Sequence, residues 1–146
     1  MPNAEPSAAV TTASRVARAR VLLVDDHALL RRGVANIINQ DPALEVVAEA
    51  ANGVDAVAAF TTHRPDVVLM DINLPRLGGI EATRQIKRAW PHIVVIGLSV
   101  QTSPQTVEAF LQAGGAALLS KEQATDELYR VIQQLARVPG QDTQLS

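Results

Sequence analysis

A chain of 146 residues, 47 % of them apolar and 19 % charged, with a formal charge of −2, has room for one α/β core, whereas two full domains would each be marginal. The absence of cysteine excludes a disulfide scaffold, a thiolate zinc site and a thiol nucleophile. The longest uncharged apolar runs are of the 67–70 and 93–98 kind, far too short for a membrane span, so a soluble, cytoplasmic chain is expected.

Residues 1–19 are rich in Ala, Ser, Thr and Pro and poor in large apolar side chains, so they cannot offset the entropy of ordering; a flexible arm or linker is expected. A secretory signal would begin basic and continue apolar, but here Glu5 comes first and Arg15, Arg18 and Arg20 come last. Residues 20–146 carry 11 basic against 14 acidic side chains, a charge of −3, which disfavours nucleic-acid binding by this segment.

From Arg20 onward short β-rich runs alternate with helical periodicity, the pattern of a parallel sheet with crossover helices. Strands are predicted at 21–24, 45–50, 66–70, 93–98 and 116–119; the central ones are nearly unbroken apolar runs, as strands covered on both faces require. The second ends in Ala50-Ala51-Asn52 without a polar group of obvious use, which suits an edge position. The first helix carries Leu29, Leu30, Gly33, Val34, Ile37 and Ile38 on one stripe, expected to face a core. Further helices are predicted to start near Gly53, Gly79 and Ser103, with Gly114-Gly115 closing the last of these through a left-handed cap. A final helix carries Leu128, Val131, Ile132 and Leu135 at i, i+3, i+4 and i+7. Polar, turn-forming residues follow Val138, so the folded domain is placed at 20–137 and a flexible tail at 138–146.

In open parallel sheets the functional crevice lies beyond the carboxyl ends of the strands. Four of the five runs end in polar groups there: Asp25 and Asp26 after the first, Asp71 after the third, Ser99 after the fourth, and Lys121, following Ser120, after the fifth. Three carboxylates gathered at neighbouring strand ends repel one another unless protons or a cation intervene. Magnesium suits oxygen donors and keeps part of its hydration shell, so Asp26, Asp71 and the backbone carbonyl of Asn73 form a plausible set for it. A carboxylate in that setting can attack phosphorus, with Lys121 neutralising the incoming group and Ser99 offering a hydroxyl donor. The product is an aspartyl phosphate on Asp71.

These residues carry a family resemblance. The stretches Val21-Leu22-Leu23-Val24-Asp25-Asp26-His27, Pro65-Asp66-Val67-Val68-Leu69-Met70-Asp71, Leu74-Pro75 followed by Gly78-Gly79, and Leu119-Ser120-Lys121 occur in the order found in response-regulator receiver domains. The resemblance spans about 20–135. It implies a flavodoxin-like (βα)5 three-layer α/β sandwich with strand order 2-1-3-4-5. It also implies phosphoryl transfer from the histidine of a sensor histidine kinase or phosphotransfer domain to Asp71, with Asp25 and Asp26 holding Mg2+ and with Ser99 and Lys121 contacting the phosphoryl group. Such a domain catalyses its own phosphorylation and dephosphorylation rather than a reaction on external substrates, and homodimerisation is open. The parent is expected to be either a helix-turn-helix transcription factor or, preferred slightly, a hybrid sensor kinase.

Three positions depart from the family pattern: Val100 where a small residue is usual, Leu118 where an aromatic is usual, and Glu122 where proline is common. Val100 and Leu118 bring the signal-transmitting switch, but not the chemistry, into question. Two rival functions follow. One is a degenerate receiver that only binds partners. The other is an aspartate-nucleophile phosphatase of the haloacid dehalogenase type, which Asn73 disfavours because that position would need a general acid. Each site residue also has a plainer reading: Asp26 as a helix cap, Ser99 as a cap for the helix near Ser103, Lys121 as a solvated lysine. His27, His63 and His92 lack metal-ligand spacing and read as surface residues, and Met70 and Trp90 as packing residues.

Overall fold

The computed structural model describes residues 18–100, 103–121, 130 and 134. Most of the expected arm, the final helix apart from Arg130 and Gln134 and so its whole Leu128, Val131, Ile132 and Leu135 stripe, Glu122, and the tail at 138–146 lie outside the described residues. In chain order the elements are β1 (Ala19–Val24), α1 (Ala28–Asn39), β2 (Leu44–Ala50), α2 (Gly53–His63), β3 (Val67–Asp71), α3 (Gly79–Ala89), β4 (Val94–Ser99), α4 (Pro104–Gln112) and β5 (Ala117–Ser120). All strand pairings are parallel, in the order β2-β1-β3-β4-β5. This is the flavodoxin-like arrangement, with β2 at an edge as its sequence suggests. Strands three to five each run one residue beyond the expected end, so Asp71, Ser99 and Ser120 close their strands instead of following them.

Alternation along the strands builds two cores. Val21, Leu23, Val67, Leu69, Ile96 and Leu98 face one side, where Ala35 and Ile38 of α1 cover them. Leu22, Val24, Val68, Met70 and Val95 face the other side, where Ala56 and Phe60 of α2, Ala82 and Ile86 of α3 and Phe110 of α4 pack. Trp90, just after α3, is a packing residue as expected: its ring lies 4.7 Å from that of Phe60 and beneath the Arg64 guanidinium. Met70 is fully buried.

The expectation for α1 needs correction. Ile38 and, partly, Val34 face the core, but Leu29 is 87 % exposed and Leu30 and Ile37 are also exposed; Ala35, which the stripe omitted, is buried. This helix carries apolar residues around more than half of its circumference, and periodicity alone does not say which part packs.

The helix starts follow their local chemistry. Asn52 caps α2 by accepting from the Asp55 N–H, and Ser103 caps α4 by accepting from the Thr106 N–H. Gly114, at φ +107°, takes the conformation expected of it after α4. In α3, Thr83 is wholly buried and its hydroxyl has no partner among the described residues. Thr83→Val keeps the shape and removes the unpaired polar atom, so it should raise unfolding stability by about 1 kcal/mol, read as a higher urea midpoint at unchanged slope.

Candidate functional site

The sheet reverses its winding at β1, which lies between β2 and β3, and the crevice of such a fold opens at the carboxyl ends beside that reversal. Val24 is in register with Met70, so the residues that follow them, Asp25 and Asp71, emerge side by side. Asp71 is also in register with Leu98, and Ser99 with Ser120, which brings the ends of β4 and β5 to the same rim. Gly79, at the start of α3, lies against this rim: a Cβ there would stand 2.2 Å from the Asp71 carbonyl oxygen.

The side chains converge. Lys121 Nζ lies 3.0 Å from Asp25 Oδ2 and 3.0 Å from Asp71 Oδ2, spanning the ends of β1, β3 and β5. The solvated-lysine reading of Lys121 is thereby overturned, since its side chain is mostly buried between the two carboxylates. Asp25, Asp71 and Ser99 are buried, and Asp26 faces solvent. Asp26 is not a helix cap: α1 begins at Ala28 with His27 at its N-cap. Nor does Ser99 cap α4, because Ser103 does. The Asn73 N–H donates to Asp71 Oδ1 at 2.9 Å, which holds the Asn73 backbone beside that carboxylate.

Burial pushes the Asp71 carboxyl above the ordinary aspartate range, against the opposing pull of the Asn73 N–H and Lys121. Burial also works against the Lys121 ammonium, but its hydrogen bonds and charge interactions with Asp25 and Asp71 outweigh that and raise its pKa. The site therefore holds a lysine kept cationic by two carboxylates beside a buried aspartate whose pKa burial raises.

Two partners were not legible in the sequence. Arg31, one turn into α1, donates from Nη1 to the Asp25 carbonyl at 2.6 Å and from Nε to Glu49 Oε1 at 2.9 Å, tying the end of β1 to the edge strand. His27 is surface-exposed as expected, yet it folds back onto the site. Its N–H donates to Asp25 Oδ1 at 2.8 Å, and its Nδ1 lies 3.2 Å from both Asp25 Oδ1 and Asp26 Oδ1. Asp25, Asp26, His27 and Asp71 each offer a ligand atom within 4.8 Å of the others, so His27, read from the sequence as a surface residue without metal-ligand spacing, is on the surface but stands beside the acidic cluster. Among the described residues, no equivalent group includes His63 or His92.

The model of the response regulator receiver domain matches residues 21–133. The chain belongs to that family. It is similar to the transcriptional regulatory protein DegU of Brevibacillus brevis, at 36 % identity over 118 residues, which are 81 % of this chain and 50 % of that protein. It is also similar to the response regulator UvrY of Escherichia coli K12, at 44 % identity over 112 residues, 77 % of this chain and 51 % of the relative. The receiver thus spans about half the length of the curated relatives it matches. Among solved structures, a LuxR-family response regulator from Aurantimonas superposes with a TM-score of 0.78 at 33 % identity, covering 84 % of this chain and 88 % of the other. The receiver domain of NarL from Mycobacterium tuberculosis gives 0.77 at 30 % identity, covering 82 % and 97 %.

Membership of the receiver family removes the haloacid-dehalogenase-type phosphatase as an alternative. Receiver domains generally bind magnesium at acidic residues, and the donor set here fits: hard carboxylate oxygens from Asp25, Asp26 and Asp71 are crowded within 4.8 Å with one lysine to balance them. No helix among the described residues is long and apolar enough to cross a membrane. Of the departures from the family pattern, Leu118 is packed inward, its Cδ1 filling the space beside Gly97 against the Phe110 ring, and Val100 is 68 % exposed beside Lys121, Leu29 and Leu30.

Proposed function

We propose that this receiver takes a phosphoryl group from a phosphohistidine of a sensor histidine kinase or phosphotransfer domain onto Asp71. The observation that carries the reading is the contact of Lys121 Nζ with both Asp25 and Asp71, 3.0 Å each, at the winding reversal of the sheet. An Asp71 carboxylate oxygen attacks phosphorus, a P–O bond forms as the P–N bond breaks, and the electron pair leaves with the imidazole nitrogen of the donor. Lys121 is placed to neutralise the arriving phosphoryl oxygens, and Ser99, buried at the end of β4, to donate its hydroxyl to one of them. The Asn73 N–H fixes the orientation of the Asp71 carboxylate. Asp25, Asp26, Asp71 and the Asn73 carbonyl would hold magnesium, which when bound offsets the charge of the carboxylates and of the phosphoryl group.

The assembled set of acidic residues, lysine and hydroxyl favours an active receiver over a degenerate one. The names of the relatives favour a transcriptional response regulator over a hybrid kinase as the parent protein. The test is incubation with acetyl phosphate and magnesium followed by intact-mass measurement. A gain of one phosphoryl group supports the reading, and an unchanged mass, with beryllofluoride also failing to bind, contradicts it.

The cation site is tested separately by Asp26→Asn. Removing one ligand carboxylate should weaken magnesium on the order of tenfold or more, while loss of like-charge repulsion with Asp25 and Asp71 leaves the metal-free melting temperature unchanged or higher. The exposed contact with His27 that is also lost contributes little. Calorimetric titration and thermal melting read the two halves, and an unchanged magnesium affinity would remove Asp26 from the ligand set.

A further inference from the structure

Where β1 ends, the Asp25 backbone is held from both sides. Its N–H donates to the Ala50 carbonyl of the edge strand at 3.0 Å. Its carbonyl lies past the strand, and there Arg31 Nη1 donates to it at 2.6 Å. The same guanidinium donates from Nε to Glu49 Oε1 at 2.9 Å. Glu49 is in register with Leu23 and so stands on the face of the sheet that α1 covers, within reach of that helix. A planar guanidinium presents its donors in a fixed fork, so this one side chain holds a carboxylate of β2 and the carbonyl after β1 at once. The Asp25 carbonyl and the Asp26 N–H belong to one planar peptide. Fixing the carbonyl therefore fixes the direction in which the chain leaves for Asp26, whose own side chain is exposed.

We infer that Arg31, anchored on Glu49, is a positioning residue that sets the Asp25–Asp26 peptide and so the placement of the two carboxylates toward magnesium. The inference rests on the cation-binding reading of the acidic residues given above. Charge and geometry have opposite consequences at this position. A guanidinium beside carboxylates repels an arriving cation, so on charge alone its removal tightens magnesium binding. As a brace, its removal frees the Asp25–Asp26 peptide to rotate and loosens magnesium binding, because the hydrogen-bond partners of ligand residues keep them oriented. Arg32, the next residue of α1, is exposed and serves as the control for charge.

The experiment is calorimetric titration of the full chain with magnesium chloride, together with amide spectra and thermal melting of the metal-free protein, for the wild type, Arg31→Gln, Glu49→Gln and Arg32→Gln. Arg31→Gln should lower magnesium affinity about tenfold. It should also move the Asp26 and His27 amide resonances before any metal is added. Glu49→Gln, which keeps an acceptor for Arg31 Nε, should act in the same direction by a smaller factor. Arg32→Gln, whose charge is screened by solvent, should leave the affinity unchanged or slightly raised. An Arg31→Gln variant that binds magnesium as tightly as the wild type or more tightly, at whatever melting temperature, would overturn the inference, leaving Arg31 and Glu49 a structural link and the cation reading standing. An equal fall in Arg32→Gln would overturn it as well. A wild type that binds no magnesium would overturn the cation reading and the inference with it.

Discussion

Asp71→Asn is expected to leave the chain unable to gain mass from acetyl phosphate or to bind beryllofluoride with magnesium, under conditions in which the wild type does both. The amide keeps the size of the side chain but is a far weaker nucleophile, and among the described residues no other carboxylate both closes a central strand and contacts Lys121. The same variant should melt higher than the wild type without metal at neutral pH. Burial raises the pKa of Asp71 above that of an unfolded aspartate, so its contribution to stability is present in acid and is lost as pH rises through the raised value. Replacing the carboxyl by an amide removes that loss, and the advantage of the variant should shrink as pH falls below the ordinary carboxylate range. Lys121, still facing Asp25, keeps a partner throughout. Full phosphate uptake by Asp71→Asn would move the nucleophile elsewhere.

Gly79→Ala is expected to cause a large loss of stability. A Cβ at this position would stand 2.2 Å from the Asp71 carbonyl oxygen and 2.6 Å from the Ile72 Cα, both backbone atoms of the chain leaving β3. Neither can rotate away, and the Gly79 N–H is bonded to the Ile72 carbonyl at 3.2 Å. The helix must move off the sheet, at a cost of about 3 kcal/mol, and Asp71 must shift with it. The neighbouring Gly78 is the control: nothing lies within 4 Å of a Cβ built there, and its φ of −66° is open to any residue. Urea unfolding should show a large drop in midpoint for Gly79→Ala and little change for Gly78→Ala, with acetyl phosphate uptake slowed only in the former. Equal midpoints for the two variants would show that the contact between α3 and the end of β3 yields more easily than this geometry allows.

The candidate site was legible because its residues obey a simple rule of parallel sheets: an apolar run buries itself on both faces and then ends in a polar group at the crevice. Asp25, Asp26, Asp71, Ser99 and Lys121 all stand at such ends, and the structure gathers them at one rim. What the sequence hid depends on how the chain turns after those ends. Asp25, Asp26 and His27 are consecutive, a spacing that marks no helix face, and only the turn held by the Asp25 carboxylate places the ring beside the acids. The link from Arg31 to Glu49 joins α1 to β2, whose relative position depends on the register of β1 with β2 and its shift near Val21. For α1 itself, Leu29 and Ile37 satisfied the helical period yet face outward, because Ala35 and Ile38 provide enough apolar surface to seat the helix on the sheet.

The central claim is that phosphate resides on Asp71. Borohydride reduction of the phosphorylated chain converts an aspartyl phosphate to homoserine, and peptide mass spectrometry then locates the conversion. Homoserine at position 71, and at neither 25 nor 26, is the result predicted here; conversion at Asp25 or Asp26, or phosphate retained on a serine or histidine with Asp71 unchanged, would contradict it.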